Sequence, residues 1–278
     1  MKNNQKKIAV LLTCFNRYNA TLDCISALTN LEVPLNHTFE IFLVDDGSTD
    51  GTSLKVEQKF PKVHIIKGDG NLYWNRGMYT AWAAAFKFYD FDFYMWLNDD
   101  THLYKTAFKQ LFDTLLKVNN KSIIVGITCS PTNKDIITYG GRINDKVLNT
   151  NGKIIQCDEF NGNCVLIPRV VFKTVGNLDP FFSHSFGDVE YGMRSKKAGF
   201  TSFVTATAVG ECERNAWPPK HLNPKIGILE RFKFLYSPLG FHPKESYYLN
   251  SKHKNLFYAL LVICKLHLNV IWPNIVKQ

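Results

Sequence analysis

The chain has 278 residues, 45% hydrophobic and 21% charged, with a formal net charge of +9 at pH 7. That length can bury a large core, and the balance excludes a disordered protein. Residues 1–213 carry 23 Lys/Arg against 22 Asp/Glu while residues 214–278 carry 10 against 2, so the nearly neutral body argues against a nucleic-acid partner and the basic tail needs its own explanation.

Lys7 to Thr13 reads as a buried strand that ends in Cys14-Phe15-Asn16-Arg17. The apolar run inside it, Ile8 to Leu12, is too short for a signal-peptide core or a membrane span. Thr21 to Leu31 has helical spacing through Leu22, Ile25, Leu28 and Leu31. Phe39 to Val44 is a second strand, followed by Asp45-Asp46-Gly47-Ser48-Thr49-Asp50-Gly51-Thr52 and a helix that Pro61 stops after Phe60. Val63 to Lys67 is a third strand, and a loop from Gly68 to Gly77 leads into a helix from Met78 to Phe88.

The aromatic run Phe93 to Leu97 has the composition of a strand buried on both faces, and it stops in Asn98-Asp99-Asp100. A helix near Lys105 to Val118 and a strand from Ile123 to Thr128 follow. Strands alternating with helices of this length predict right-handed βαβ units and a mainly parallel sheet. Residues 129–160, rich in Asn, Gly and Thr, depart from that alternation.

Asp46, Ser48, Asp50, Gly51 and Glu57 fall at the spacing of an EF-hand loop, but strand composition precedes them where that motif requires a helix. Neither a P-loop nor a Gly-x-Gly-x-x-Gly fingerprint follows the first strand, which removes the usual NTPase and dehydrogenase readings. The seven cysteines include no Cys-x-x-Cys pair, so the sequence points to no zinc site or disulfide framework and to a reducing cytosol.

Polar clusters thus end three strands on one edge of the expected sheet: Thr13 to Arg17, Asp45-Asp46 and Asn98-Asp99-Asp100. Open α/β sheets bind ligands at that edge. Adjacent aspartates suit Mg²⁺ or Mn²⁺, which draw remaining ligands from water and substrate phosphates. A fourth cluster, Phe186 to Arg194, opens an expected helix over Val189 to Ala198. Helix capping by Asp99, Asp100 or Asp188, and a simple i,i+4 ion pair between Glu190 and Arg194, are the plain structural alternatives.

Five motifs in order resemble the family-2 glycosyltransferases over about Ile8 to Phe203. They are Val-Asp-Asp-Gly-Ser-Thr-Asp-Gly-Thr at 44–52, Asn-Leu-Tyr-Trp-Asn-Arg-Gly at 71–77, Trp-Leu-Asn-Asp-Asp at 96–100, Asn-Gly-Asn-Cys-Val-Leu-Ile-Pro at 161–168 and Asp-Val-Glu-Tyr-Gly-Met-Arg at 188–194. The set looks most like the bacterial rhamnosyl- or galactofuranosyltransferase-like branch that builds surface polysaccharide of the cell envelope.

The resemblance implies an α/β fold of GT-A type, Rossmann-like, with a basic helical C-terminal extension over 214–278. Within residues 1–213, about 8–128 would hold a UDP- or dTDP-linked sugar and about 129–213 the acceptor, a glycan or lipid-linked glycan. Thr13, Asn16, Asp45, Asp46, Asn71, Trp74, Asn75, Gly77, Asn98 and Asp99 are the implied donor contacts. Asp100, with Asp99 beside it, would hold Mg²⁺ or Mn²⁺, and Asp188 would be the base. Asn163, Glu190, Arg194 and Trp217 are the implied acceptor contacts.

Two departures from the family stand out. Asn98 replaces the first Asp of the metal motif, and no His follows the next strand before His221, which leaves Glu211 or Cys212 as the substitute. One base and one metal on opposite sides of the anomeric carbon imply single displacement with inversion. A non-catalytic nucleotide-sugar or membrane-surface binding protein is the alternative that these departures suggest.

In the tail, nine uninterrupted apolar residues, Leu256 to Cys264, lie among Lys252, Lys254 and Lys265. Residues 251–278 therefore suit an anionic membrane surface, the inner face of the plasma membrane for a cytoplasmic protein, or a helix packed on the body or in a homodimer.

Overall fold

The computed structural model describes residues 5–144 and 146–273. Residues 1–4 of the basic amino terminus, Asp145 and residues 274–278 of the tail lie outside the described residues.

The first half alternates as expected: β1 (Lys6–Cys14), α1 (Tyr18–Thr29), β2 (His37–Asp45), α2 (Thr52–Lys59), β3 (His64–Lys67), α3 (Tyr73–Phe88) and β4 (Phe93–Leu97). Then come β5 (His102–Leu103), α4 (Ala107–Val118), β6 (Ile123–Val125) and β7 (Thr128–Cys129). A run of short strands follows: β8 (Ile137–Tyr139), β9 (Gly141–Ile143), β10 (Lys146–Val147), β11 (Ile155–Cys157) and β12 (Glu159–Phe160). The body closes with β13 (Cys164–Pro168), α5 (Arg169–Val175), α6 (Gly187–Lys197), β14 (Ser202–Val204) and β15 (Gly210–Glu211), and the tail forms α7 (Ile228–Leu235), α8 (Pro243–His253) and α9 (Leu256–Ile271).

Eight strands make the central sheet in the order β11-β14-β6-β13-β4-β1-β2-β3. β1 pairs parallel with β2 and β4, β2 with β3, and β6 with β14. β13 runs antiparallel between β4 and β6, and β11 antiparallel to β14. The sheet is therefore mixed and mainly parallel, within an α/β fold that carries C-terminal helices.

Alternate residues of β1 serve opposite layers. Ile8, Val10 and Leu12 face the layer of α1 and α4, whereas Ala9 and Leu11 face that of α3 and α6. Covered on both sides, the strand reads as an unbroken apolar run rather than an alternation. Register then places the ends together: Cys14 is paired with Asp45, and Leu11 with Trp96. The polar residues that follow β1, β2 and β4 emerge side by side.

Three expectations need correction. α3 begins at Tyr73 rather than Met78, because Asp46 takes the N–H groups of Leu72 and Tyr73, each at 2.9 Å. A carboxylate from another strand thus satisfies the orphan donors of the helix start, which no local pattern reveals. The expected strand from Ile123 to Thr128 breaks after Val125, and Thr128–Cys129 joins a second sheet of order β5-β15-β7-β8. Asp188 lies inside the first turn of α6, which begins at Gly187.

Candidate active site

The ends of β1 and β4 open onto a cleft of about 710 Å³, within the size range of small-ligand sites. Thr13, Arg17, Asp46, Trp74, Asn98, Asp99, Asp100, Asn163 and Asp188 all line it. The cleft is built at the carboxyl edge of the parallel strands, as the sheet topology requires.

On one wall, Asp99 is buried, and its Oδ2 accepts from Thr21 Oγ1 at 3.2 Å. Arg17 Nη1 lies 3.2 Å from its other oxygen, and Arg17 Nη2 donates to Asp100 Oδ2 at 2.7 Å. Burial pushes the Asp99 carboxyl up to about 7 against the pull of Arg17. Asp100 is one-third exposed to the cleft, and the Cys212 thiol donates to its Oδ1 at 3.6 Å. Glu211, the other candidate for the absent His, pairs instead with Lys134. His221 is buried and stacks on Phe234, outside the cleft lining.

Elsewhere in the cleft, Asp188 Oδ2 accepts the Gly162 N–H at 3.0 Å, and Oδ1 accepts that of Val189 at 2.8 Å. Burial raises its proton affinity above that of an ordinary carboxyl, while Arg142 and the two amide donors restrain the rise. Phe186, which precedes α6, is held at φ +73°, and Tyr73 at the start of α3 at φ +56°. Two bulky residues in the left-handed region bordering one cleft mark a backbone constrained for a site.

Other expected donor contacts serve the frame. Asp45 lies outside the cleft lining, and its oxygens are used by Ser48, Ser53 and Lys67. Burial would raise its pKa, but the serine hydrogen bonds and Lys67 outweigh that and hold it low. Asp46 borders the cleft but is spent on Gly70, Leu72 and Tyr73. Asn16 accepts the Thr49 N–H at 2.7 Å, tying the end of β1 to that same turn. Trp74 Nε1 donates to Asn98 Oδ1 at 2.7 Å, so one of the two lone pairs of that amide oxygen is engaged.

Asn71 is exposed outside the lining, its N–H on Asp69 Oδ1. Asn75 is buried and donates to the carbonyls of Asp179 and Phe182, both at 2.8 Å. Gly77 lets α3 approach Thr13, whose hydroxyl a Cβ would strike.

Three expected acceptor contacts are not brought to the cleft. Glu190 is fully buried and binds Arg194 Nε at 2.7 Å, Lys252 at 2.9 Å and His253 at 3.2 Å. Trp217 is 48% exposed and outside the lining. Asn163 does line it, donating to Cys212 Sγ at 3.6 Å. A buried charge stripped of its partner is costly. Glu190→Ala should therefore lower stability by about 3–5 kcal/mol in urea unfolding and leave nucleotide affinity in the folded fraction unchanged; a tenfold affinity loss would return Glu190 to the site.

Sequence reasoning missed Arg142, Tyr139 and His184, and gave Arg17 no role beyond its cluster. All four line the cleft. Arg142 sits on β9 in the irregular segment, where no motif points to it.

A hard divalent cation is served by one or two carboxylates, waters and substrate phosphates. Asp100 with Asp99 behind it fits that open arrangement, whereas the Cys212 thiol, a soft donor that burial keeps protonated, does not. Among the described residues no cluster of three or more His, Cys, Asp or Glu makes a closed protein cage.

The sequence pattern described as "Glycosyl transferase family 2" matches residues 9–176. Over 94 residues the chain is 33% identical to poly-beta-1,6-N-acetyl-D-glucosamine synthase of Staphylococcus epidermidis, covering 34% of this chain and 22% of that protein's length. The fold is similar to that of S. aureus TarS 1-349, with a TM-score of 0.56 at 14% identity over 96% of this chain and 81% of that one. It is also similar to the mannosyltransferase PcManGT from Pyrobaculum calidifontis, solved in complex with GDP-Man and Mn²⁺, with a TM-score of 0.54 at 15% identity over 93% of this chain and 73% of that one.

Proposed function

The chain belongs to glycosyl transferase family 2, with a GT-A-like fold, and on that premise we propose that its cleft moves a sugar from a UDP- or dTDP-linked donor to a hydroxyl of a growing surface glycan. The observation that carries this reading is the contrast between two carboxylates of one cleft. Asp100 is one-third exposed to the cleft and paired with Arg17, whereas Asp188 is desolvated and more basic than usual. Carboxylates in such different surroundings, one open and ion-paired and one desolvated, can divide the roles of charge stabiliser and base.

Residues 8–128 take the donor, and residues 129–213 with part of the tail take the acceptor. Asp188 removes the acceptor's proton as its oxygen attacks the anomeric carbon, and inversion follows from that single base. Asp100, with Asp99 beside it, would hold Mg²⁺ or Mn²⁺, which offsets charge on the departing diphosphate when bound. Arg17 supplies a second positive group on that wall. Asp45, Asp46 and Asn16 set the turn that the nucleoside rests against. Rhamnose and galactofuranose are the sugars that the motif resemblance favours, and the polysaccharide named for the S. epidermidis relative supports a glycan acceptor.

Calorimetric titration with UDP, dTDP and GDP, with and without Mn²⁺, tests the donor site. Metal-enhanced binding of one of them is expected; binding of none by the folded protein would refute the reading.

The acid limb of kcat/KM gives a second check. A base must be ionised, so a raised pKa means that activity is lost at a higher pH than the ordinary Asp value of about 4. Arg142→Met removes a cation that favours the ionised form and should move the limb further up. A limb that stays fixed would separate Arg142 from the base.

A further inference from the structure

The tail leaves an apolar face unexplained by the catalytic site. α9 buries only Ala259 and Val270 as it packs on α7 and α8. Leu256, Phe257, Leu260, Leu261, Leu268 and Ile271 recur at helical spacing and point outward, with Phe257 72% exposed. Leu229 on the adjoining α7 is 76% exposed. Contiguous apolar surface of this kind marks an interaction site.

Charge selects the occupant. The last acid in the chain is Glu245, which is buried, whereas Lys233, Lys254 and Lys265 are exposed. An isologous dimer through this face would bring together two surfaces on which Glu230 of α7 is the one exposed acid against three lysines, a net like-charge pairing. No helix among the described residues is long and apolar enough to cross a membrane; the 16 residues of α9 rise about 24 Å, short of the hydrocarbon core. An apolar stripe bordered by lysines and closed by Trp272 fits a helix lying in the interface of an anionic bilayer.

The same unit reaches the cleft. Glu245 on α8 accepts from the Ser183 N–H at 2.9 Å and Oγ at 2.7 Å, and Lys252 binds Asp179 at 2.8 Å. Leu239 and Phe241, between α7 and α8, line the cleft beside Phe186. We infer that the outward face of α7 and α9 seats the protein on an anionic lipid surface, so that the acceptor is a hydroxyl borne by a lipid anchored there. The acceptor's class rests on the glycosyltransferase reading; the lipid-binding face does not.

Co-sedimentation of the full chain with phosphatidylcholine vesicles, with and without phosphatidylglycerol, tests it. Binding about tenfold stronger to the anionic vesicles is expected, weakening as salt rises. Leu229→Glu with Phe257→Glu and Leu261→Glu should abolish it while nucleoside diphosphate binding and the circular dichroism spectrum stay unchanged. Lys254→Glu with Lys265→Glu should remove only the anionic preference. Equal binding of wild type and the triple variant, or a wild-type dimer that ignores vesicles and that the triple variant splits, would overturn the inference. Vesicle binding without nucleotide binding would instead count against the function alone.

Discussion

Asp188→Asn should lower kcat by about 10²–10⁴-fold, the usual contribution of a positioned general base, while nucleoside diphosphate affinity stays within about twofold. The substitution preserves shape, and the amide oxygen can still accept from Gly162 or Val189, so the start of α6 keeps its geometry. What disappears is the lone pair that takes the acceptor's proton. Initial rates and calorimetry on the same preparation separate the two effects. Full turnover in the variant would assign the base elsewhere, and loss of nucleotide binding alongside turnover would mean that Asp188 shapes the donor site. Any turnover at all by the wild type, lost in the variant, excludes a protein that only binds nucleotide sugars.

Asp100→Asn should lower kcat/KM by about 10²–10³-fold, the scale of losing one preorganised electrostatic contact to a charge that develops in the transition state. It should also abolish any enhancement of nucleotide binding by Mn²⁺. Asp100 is the acid of this pair that opens to the cleft, since Asp99 is buried against Thr21 and Arg17. Asn98 is a weaker substitute: its neutral amide oxygen already accepts from the Trp74 indole, which leaves one lone pair. Unchanged metal enhancement in Asp100→Asn would move the cation to another part of the cleft and leave Arg17 as the main counter-charge.

The first half of the fold was legible because each buried strand carries its own apolar run and each helix its own spacing. The opening of α3 was not, since its N–H groups are answered by Asp46, 26 residues before Leu72. Adjacent acids at strand ends pointed to the Asp100 wall, and register alone explains why they share an edge. Glu190 and Arg194 illustrate the opposite case. Their i,i+4 spacing suggested a surface pair, yet Glu190 is buried by partners from α8, and nothing local announces a contact 62 residues away. Arg142 escaped notice because a lone arginine in a segment of short strands carries no period and no motif.

The reversed strand β13 has a consequence for how the molecule is made. β3, β2, β1 and β4 are all complete by Leu97, so that half of the sheet can assemble while the rest of the chain is still being synthesised. β6, the fully buried Ile123–Val125, hydrogen-bonds only with β13 and β14 within its sheet, and neither exists until about 40 and 80 residues later. Until β13 has been made, a nascent chain holds out the three apolar residues of β6 with no strand of that sheet on either side. Any stall in translation across residues 126–163 would therefore leave both β6 and the far edge of β4 without the strand that covers them.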